Sequence, residues 1–212
     1  MTYRRRSIAT FGILALLTGV VCAQNNAADT RRLIEHLELT AGDTVAEIGA
    51  GNGDLTMALA RHVGETGRVL TSELPSNLAR LRGAVEKSGV PNIEVVEGQT
   101  KVANLPDGCC EAIFMRNVYH HFSDPSSMNE SLLRALKPGG RIAIIDFPPR
   151  RGGAAPADKR SENSSHGVSA DVVAQELTAA GFRIVPASDQ SASANTSSNE
   201  RWFMVVAEKP AP

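Results

Sequence analysis

Two hydrophobic periods alternate along this chain. Residues 44–48, 68–72, 93–96, 112–115 and 141–146 are short runs rich in Val, Ile and other apolar residues, bounded by glycine, proline or polar clusters, and read as strands. Between them, apolar residues recur three to four positions apart: Leu33, Ile34 and Leu37; Leu55, Ala58 and Leu59; Leu78, Leu81 and Val85; and the segment 128–136. These are the apolar faces of helices. Gly64 ends the second of them, Pro75 opens the third and Gly89 stops it. Lys137-Pro138-Gly139-Gly140 is a strong stop after the fourth. Ser169 caps a last helix carried by Val172, Val173 and Leu177 and ended at Gly181, and residues 182–185 and 202–207 read as two final strands.

Strand–helix alternation implies parallel strands joined by crossover helices. The run Ile142-Ala143-Ile144-Ile145 suits a strand covered on both faces. The expected architecture is therefore α/β: a three-layer α-β-α sandwich around a seven-stranded, mostly parallel sheet. The last strand is antiparallel, because a Ser-, Ala- and Asn-rich connection, residues 188–199, joins it to its predecessor as a hairpin. Residues 148–167 lack periodicity and read as a loop or lid over the strand ends. No repeat and no second domain are visible.

Composition is that of a globular protein: 212 residues, 42% hydrophobic and 21% charged, with net charge −1. Three of the basic residues, Arg4, Arg5 and Arg6, precede an apolar run from Ile8 to Val21, and Val21-Cys22-Ala23 suits cleavage after Ala23. Residues 1–23 thus read as a signal peptide or, if uncleaved, an N-terminal membrane anchor, with residues 24–212 as the domain. Export to the periplasm or outside the cell follows, and membrane contact is expected only through that segment. No basic patch follows it, so nucleic acid is not an expected partner. Of the three cysteines, Cys22 lies in the leader, leaving Cys109 and Cys110. Adjacent cysteines rarely meet disulfide geometry, so no disulfide is expected and Cys110 reads as a small core residue. No spacing suggests a metal site.

The candidate chemistry centres on Val45-Ala46-Glu47-Ile48-Gly49-Ala50-Gly51-Asn52-Gly53, a strand running through alternating glycines into a helix. Glycine permits a sharp turn and close backbone approach to a ligand, and the helix start should offer N–H groups. The dinucleotide fingerprint needs glycine where Asp54 stands. Glu73 ends the second strand about 20 residues beyond Gly53, where a carboxylate can accept both ribose hydroxyls of an adenosyl group. Glu47, a charge inside a buried strand, suits a cationic ligand better than a pyrophosphate.

With those residues in view, the chain from about Thr40 to Ala207 resembles the class I, Rossmann-like S-adenosylmethionine (SAM)-dependent methyltransferases of small-molecule type. The Val45–Gly53 segment resembles the family's first motif, Leu136-Lys137-Pro138-Gly139-Gly140 resembles its turn before the fifth strand, and Asn117-Val118-Tyr119-His120-His121-Phe122 resembles the segment after the fourth strand in the ubiquinone-biosynthesis-like branch. The resemblance implies SAM as cofactor and a small-molecule acceptor. It implies that Glu47, Gly49, Ala50, Gly51 and Gly53 lie along the methionine part of SAM and that Glu73, followed by Leu74, holds the ribose. Gln99 and Thr100 would flank the adenine, Gln99 standing where family members often have Asp; Arg116 and Asn117 would face the sulfonium. Any base needed for the acceptor's proton would come from His120, His121, Tyr119, Asp146 or His166. The rival reading is an exported SAM- or S-adenosylhomocysteine (SAH)-binding protein without methyl transfer.

Overall fold

The computed structural model describes residues 26–149, 157–160, 167–186 and 202–211. The proposed leader 1–23, the 188–199 connection and His166 lie outside the described residues. In chain order the elements are a helix described over residues 26–36 (α1), β1 (Thr44–Ile48), α2 (Asp54–Val63), β2 (Arg68–Glu73), α3 (Pro75–Ser88) and β3 (Ile93–Glu97). Then come β4 (Cys110–Arg116), a 3-10 turn (Tyr119–His121), α4 (Pro125–Ala135), β5 (Leu136–Asp146), α5 (Ala170–Ala179), β6 (Arg183–Val185) and β7 (Phe203–Glu208).

The sheet order is β3-β2-β1-β4-β5-β7-β6. Pairings among β1 to β5 are parallel, and β7 runs antiparallel to both β5 and β6. The chain reverses its direction of winding between β3 and β4, so the C-terminal ends of β1 and β4 stand side by side at a switch point, where such sheets open a crevice. Alternation along the strands sorts the core into two layers. Val45, Ala112, Phe114 and Ala143 face Leu33, Leu55 and Leu59 of α1 and α2. Ala46, Ile113, Met115 and Ile142 face Met128, Leu132, Val173 and Leu177 of α4 and α5.

Three details depart from the sequence reading. Helix α4 begins at Pro125, because the Asp124 side chain accepts the Ser127 N–H at 3.1 Å and caps it. It ends at Ala135, and Leu136 already pairs with Cys110. The Lys137–Gly140 stretch is therefore a bulge inside β5, with the register moving from Cys110↔Leu136 to Ala112↔Arg141. Gly139 (φ 76°) and Gly140 exchange hydrogen bonds with Lys209 there. A short 3-10 turn, Ala157–Lys159, lies within the segment read as a loop.

The cysteine expectation is corrected: Cys109 and Cys110 form a disulfide, with Cα atoms 3.7 Å apart. Gly108 turns the chain just before them (φ 63°) and donates to the Arg134 carbonyl. Cys109 therefore precedes the regular alternation of β4, and the two side chains meet instead of pointing apart. The bond closes no loop, so it leaves the unfolded chain nearly as free as before. Among the described residues no His, Cys, Asp and Glu cluster has the spacing for a metal ion, and no helix is long and apolar enough to cross a membrane.

Candidate functional site

A cavity of about 960 Å³ opens along the C-terminal ends of β1, β2, β4 and β5. It sits at the upper end of the ~300–1,000 Å³ range of small-molecule pockets. One wall is the turn after β1. Gly49, Gly51 and Gly53 have φ of 70°, 61° and 77°, the left-handed region that favours glycine. At Gly49 a Cβ would meet Val118 at 2.6 Å, whereas at Gly51 it would point into open space. Gly51 is thus where a ligand can lie against bare backbone. Four N–H groups of this turn are engaged: Gly49 and Ala50 donate to the Ser72 carbonyl at 3.0 Å, Gly53 donates to the Ala50 carbonyl, and Gly51 donates to Glu73 Oε2 at 2.8 Å. The start of α2 has no side-chain cap.

Two carboxylates flank the turn in different surroundings. Glu73, 8% exposed at the end of β2, accepts from Gly51 N–H through Oε2 and from Leu74 N–H at 2.9 Å through Oε1. Each oxygen keeps acceptor capacity toward the cavity. Gly98 makes this possible: its N–H donates to the Glu73 carbonyl at 2.8 Å, and a Cβ there would stand 3.1 Å from Glu73 backbone. Glu47 is 3% exposed and points to the α2 face, where the Thr56 hydroxyl donates to it; Thr56 in turn lies 2.9 Å from the Thr71 hydroxyl. Burial pushes the Glu47 carboxyl up from 4.5 to about 7, a rise that the Thr56 hydrogen bond and the Arg116 charge only partly offset.

At the end of β4, Asn117 takes φ 63° and donates to the Ile145 carbonyl at 2.8 Å. A non-glycine residue held in this region marks a constrained position. Arg116 reaches across to α1: its Nη1 donates to Asn26 Oδ1 at 2.7 Å and to Asp29 Oδ2 at 3.0 Å. Asn26 donates onward to Asp54 at 3.2 Å. The first turn of α1 therefore forms part of the cavity wall.

Beyond Asn117 the walls are side chains. His120 and Asp146 are buried against each other, with Nδ1 2.9 Å from Oδ1; Asp146 also accepts the backbone N–H of His120 at 3.1 Å and of Phe147 at 2.9 Å. Rings run in an arc from His121 to His120 (3.9 Å between centroids), to Phe147 (4.8 Å), to Trp202 (5.5 Å). The two ends of that arc, His121 and Trp202, line the cavity, together with Val118, Phe122 and Arg160. Arg160, 3% exposed, is paired in bidentate fashion with Glu176 at 3.0 and 2.9 Å. Tyr119 is buried and accepts from Asn129 at 2.7 Å; burial, reinforced by the Glu176 charge, pushes its hydroxyl well above the usual range.

Of the residues singled out from sequence, Glu47, Gly49, Ala50, Gly51, Glu73, Leu74, Gln99, Thr100, Arg116, Asn117 and His121 line this one cavity. Gly53 does not; it caps α2 beneath the turn, facing Leu81. His120 and Asp146 lie behind the wall. Sequence reasoning missed Asn26, Asp29, Gly98, Arg160 and Trp202. Gly98 had a signal, a glycine directly after a strand. The others are ordinary residues brought in by tertiary folding.

Comparison with known proteins agrees with this arrangement. Residues 46–144 match the methyltransferase domain model. The ubiquinone/menaquinone biosynthesis C-methyltransferase UbiE of Enterobacter sp. (strain 638) is 32% identical over 108 residues, which are 50% of this chain and 43% of that one. The chain thus spans less than half the length of the curated relatives it matches. A SAM-dependent methyltransferase from Aquifex aeolicus superposes with a TM-score of 0.66 at 28% identity, over 85% of this chain and 89% of that one. Haemonchus contortus phosphoethanolamine N-methyltransferase 2, solved with SAM, shares the fold: TM-score 0.66 at 17% identity, over 88% of this chain and 52% of that one. The chain has the class I, Rossmann-like methyltransferase fold, matches a methyltransferase domain model over residues 46–144 and is similar to the ubiquinone-biosynthesis branch.

Proposed function

We propose that this protein is a SAM-dependent methyltransferase acting on a small-molecule acceptor. The observation that carries the reading is the turn after β1. Gly49, Ala50 and Gly51 donate to Ser72 and Glu73, leaving backbone at Gly51 with open space before it, beside the Glu73 carboxylate. Such a wall fits an adenosyl ligand bearing positive charge. Glu73 would hold the ribose hydroxyls with its remaining lone pairs, Gln99 and Thr100 would flank the base, and Arg116 and Asn117 would meet the amino-acid end. Bound SAM would supply a methyl group already activated by its sulfonium. The chain's own residues have the lesser task of aligning the acceptor and keeping water out. Val118, Phe122 and Trp202 give an apolar surface for that. Of the candidate bases, His121 alone among the described residues faces the cavity, and it would take the acceptor's proton where one must leave. His120 and Asp146 hold the turn that carries it.

Calorimetric titration is the test. SAM and SAH should bind and NAD should not; binding of NAD, or of none of the three, removes the reading. Transfer of a labelled methyl group to a metabolite extract separates an enzyme from a carrier of SAM or SAH. We further propose that residues 1–23 export the chain, in keeping with the Arg4-Arg5-Arg6 and apolar 8–21 pattern and with a disulfide suited to an oxidising compartment. N-terminal sequencing of the protein from its native host should find the chain starting after Ala23. An intact Met1 on a membrane-bound protein would instead mark an anchor.

A further inference from the structure

The loop from β3 to β4, residues 98–109, runs from the cavity to the disulfide. Its first half is cavity wall: Gly98, Gln99, Thr100, Val102 and Ala103 line it, with Gly98 close against Glu73. Its last residue, Cys109, is bonded to Cys110 at the start of β4. Between these ends the loop is fastened to α4 twice. The Ala103 N–H donates to the buried Ser131 hydroxyl at 2.9 Å, and the Gly108 N–H donates to the Arg134 carbonyl at 2.9 Å. Ala103 and Cys110 are buried in one apolar cluster with Met128 and Leu132 of α4, and Leu105 and Cys109 pack against it. In a regular strand Cys109 and Cys110 would point to opposite faces. The bond keeps both on the α4 side of the sheet and so holds the end of the loop where Gly108 meets Arg134. Cys110 is fully buried and Cys109 only half-buried, so the Cys109 sulfur is the one a reductant can reach.

We propose that the Cys109–Cys110 bond is a redox switch on the base end of the donor cavity: oxidised, it clamps the 98–109 loop against α4; reduced, it lets the loop loosen and lowers affinity for the adenosyl donor. This rests on the adenosyl-donor reading above and adds regulation to it. The reductant is a dithiol. One of its thiolates attacks Cys109 Sγ, the bond to Cys110 breaks, and Cys110 leaves as a thiolate that takes up a proton. The second thiol of the reductant then displaces Cys109 from the mixed disulfide, giving two protein thiols and an oxidised reductant. Cys109 is now free to turn to the other face, as strand alternation favours, and the Gly108 anchor goes with it. That leaves Ala103 as the fastening to α4 behind Gln99 and Thr100. Because the bond closes no loop of chain, its loss acts on this local arrangement and hardly on the unfolded chain. A chain in a reducing compartment would therefore hold the donor less tightly than the same chain in an oxidising one.

The experiment titrates SAH and adenosine into the full chain by calorimetry, before and after treatment with dithiothreitol. Thiol counting should find two more thiols per chain after treatment. SAH affinity should fall about fivefold. Adenosine affinity should fall by the same factor, because the loosened wall faces the base that both ligands carry. The melting temperature of the ligand-free protein should hardly change. Cys109→Ser should bind SAH as the reduced wild type does, with or without dithiothreitol, and reoxidation should restore tight binding to the wild type alone. The switch is overturned if no new thiols appear in the folded protein, or if affinity is unchanged at full reduction. It is also overturned if the loss is confined to SAH, if it comes with a comparable loss of stability, or if Cys109→Ser binds as tightly as the oxidised wild type. A wild type that binds neither ligand in either state brings down the methyltransferase reading itself, a result distinct from all of these.

Discussion

At the donor end of the cavity the wall is mostly backbone: the Gly49–Gly53 turn, the Ser72 carbonyl that accepts from it, and Gly98 closed against Glu73. At the acceptor end it is side chains: the ring arc from His121 to Trp202, the His120–Asp146 pair and the Arg160–Glu176 pair. The difference shows how one fold can serve many acceptors. A wall of backbone is set by φ angles and sheet register, so it recognises a constant ligand. A wall of side chains can be rewritten residue by residue without moving a strand. The two ends should therefore respond differently to mutation. Changes at the acceptor end should alter stability and acceptor choice, and changes at the donor end should alter affinity for adenosyl ligands.

The largest expected effect separates the two ends. Asp146→Ala leaves His120 without its partner and strips two backbone N–H groups, of His120 and Phe147, of their acceptor. Removing one side of such a buried arrangement costs about 3–5 kcal/mol of stability. The folded fraction should still bind SAH within about threefold of wild type. Denaturant unfolding and calorimetry read the two quantities independently; a loss of SAH affinity as large as the loss of stability would show that the ends are not separable.

The second prediction lies at the donor end, and its sign depends on pH. The Glu47 carboxyl ionises at about 7 in the folded protein against 4.5 in the unfolded chain, because burial penalises its charge. Folding therefore binds a proton between those values. Stability falls as pH rises through that window, and the full penalty, on the order of 3 kcal/mol, applies above it. Glu47→Gln keeps an acceptor for Thr56 and removes the charge. It should raise the melting temperature of the ligand-free protein at pH 8, by about 2 kcal/mol of stability, and make no difference at pH 4. A variant no more stable at pH 8 would mean that Glu47 is not penalised by its surroundings.

The same division decides what could be read from the sequence. β1 is legible to the residue, Thr44–Ile48, because β-branched and apolar residues carry most of the run and the glycine turn marks its end. Glu73 is legible because a charge closing a buried strand is conspicuous. The α5 cap at Ser169, which accepts the Val172 N–H, is legible from a serine ahead of an apolar period. Asp29 is not legible. It is one acidic residue at the start of a helix, and only the Arg116 contact from β4, far along the chain, gives it meaning. Arg160 likewise carries no local signal; its place on the wall is set by Glu176 on α5. The Cys109–Cys110 bond was misread because the general rule on adjacent cysteines takes no account of the Gly108 turn before them. The Lys137–Gly140 bulge was misread because proline and glycine stop a helix and also bend a strand.

The smallest expected effect is the sharpest on the donor wall itself. Gly49 and Gly51 have nearly the same φ, 70° and 61°, so alanine at either incurs a similar backbone strain of about 1–2 kcal/mol. Their surroundings differ. At Gly49 a Cβ would stand 2.6 Å from Val118, and something in the protein must move; at Gly51 nothing lies within 4 Å. Gly49→Ala should therefore lose more stability than Gly51→Ala. Gly51→Ala should lose affinity out of proportion to its stability, about tenfold for SAH, because its methyl group would occupy the space a ligand lying on the turn needs. If Gly51→Ala melts about 1 kcal/mol lower yet binds SAH as well as wild type, no ligand rests against that backbone, and the case for a backbone-built donor end is lost.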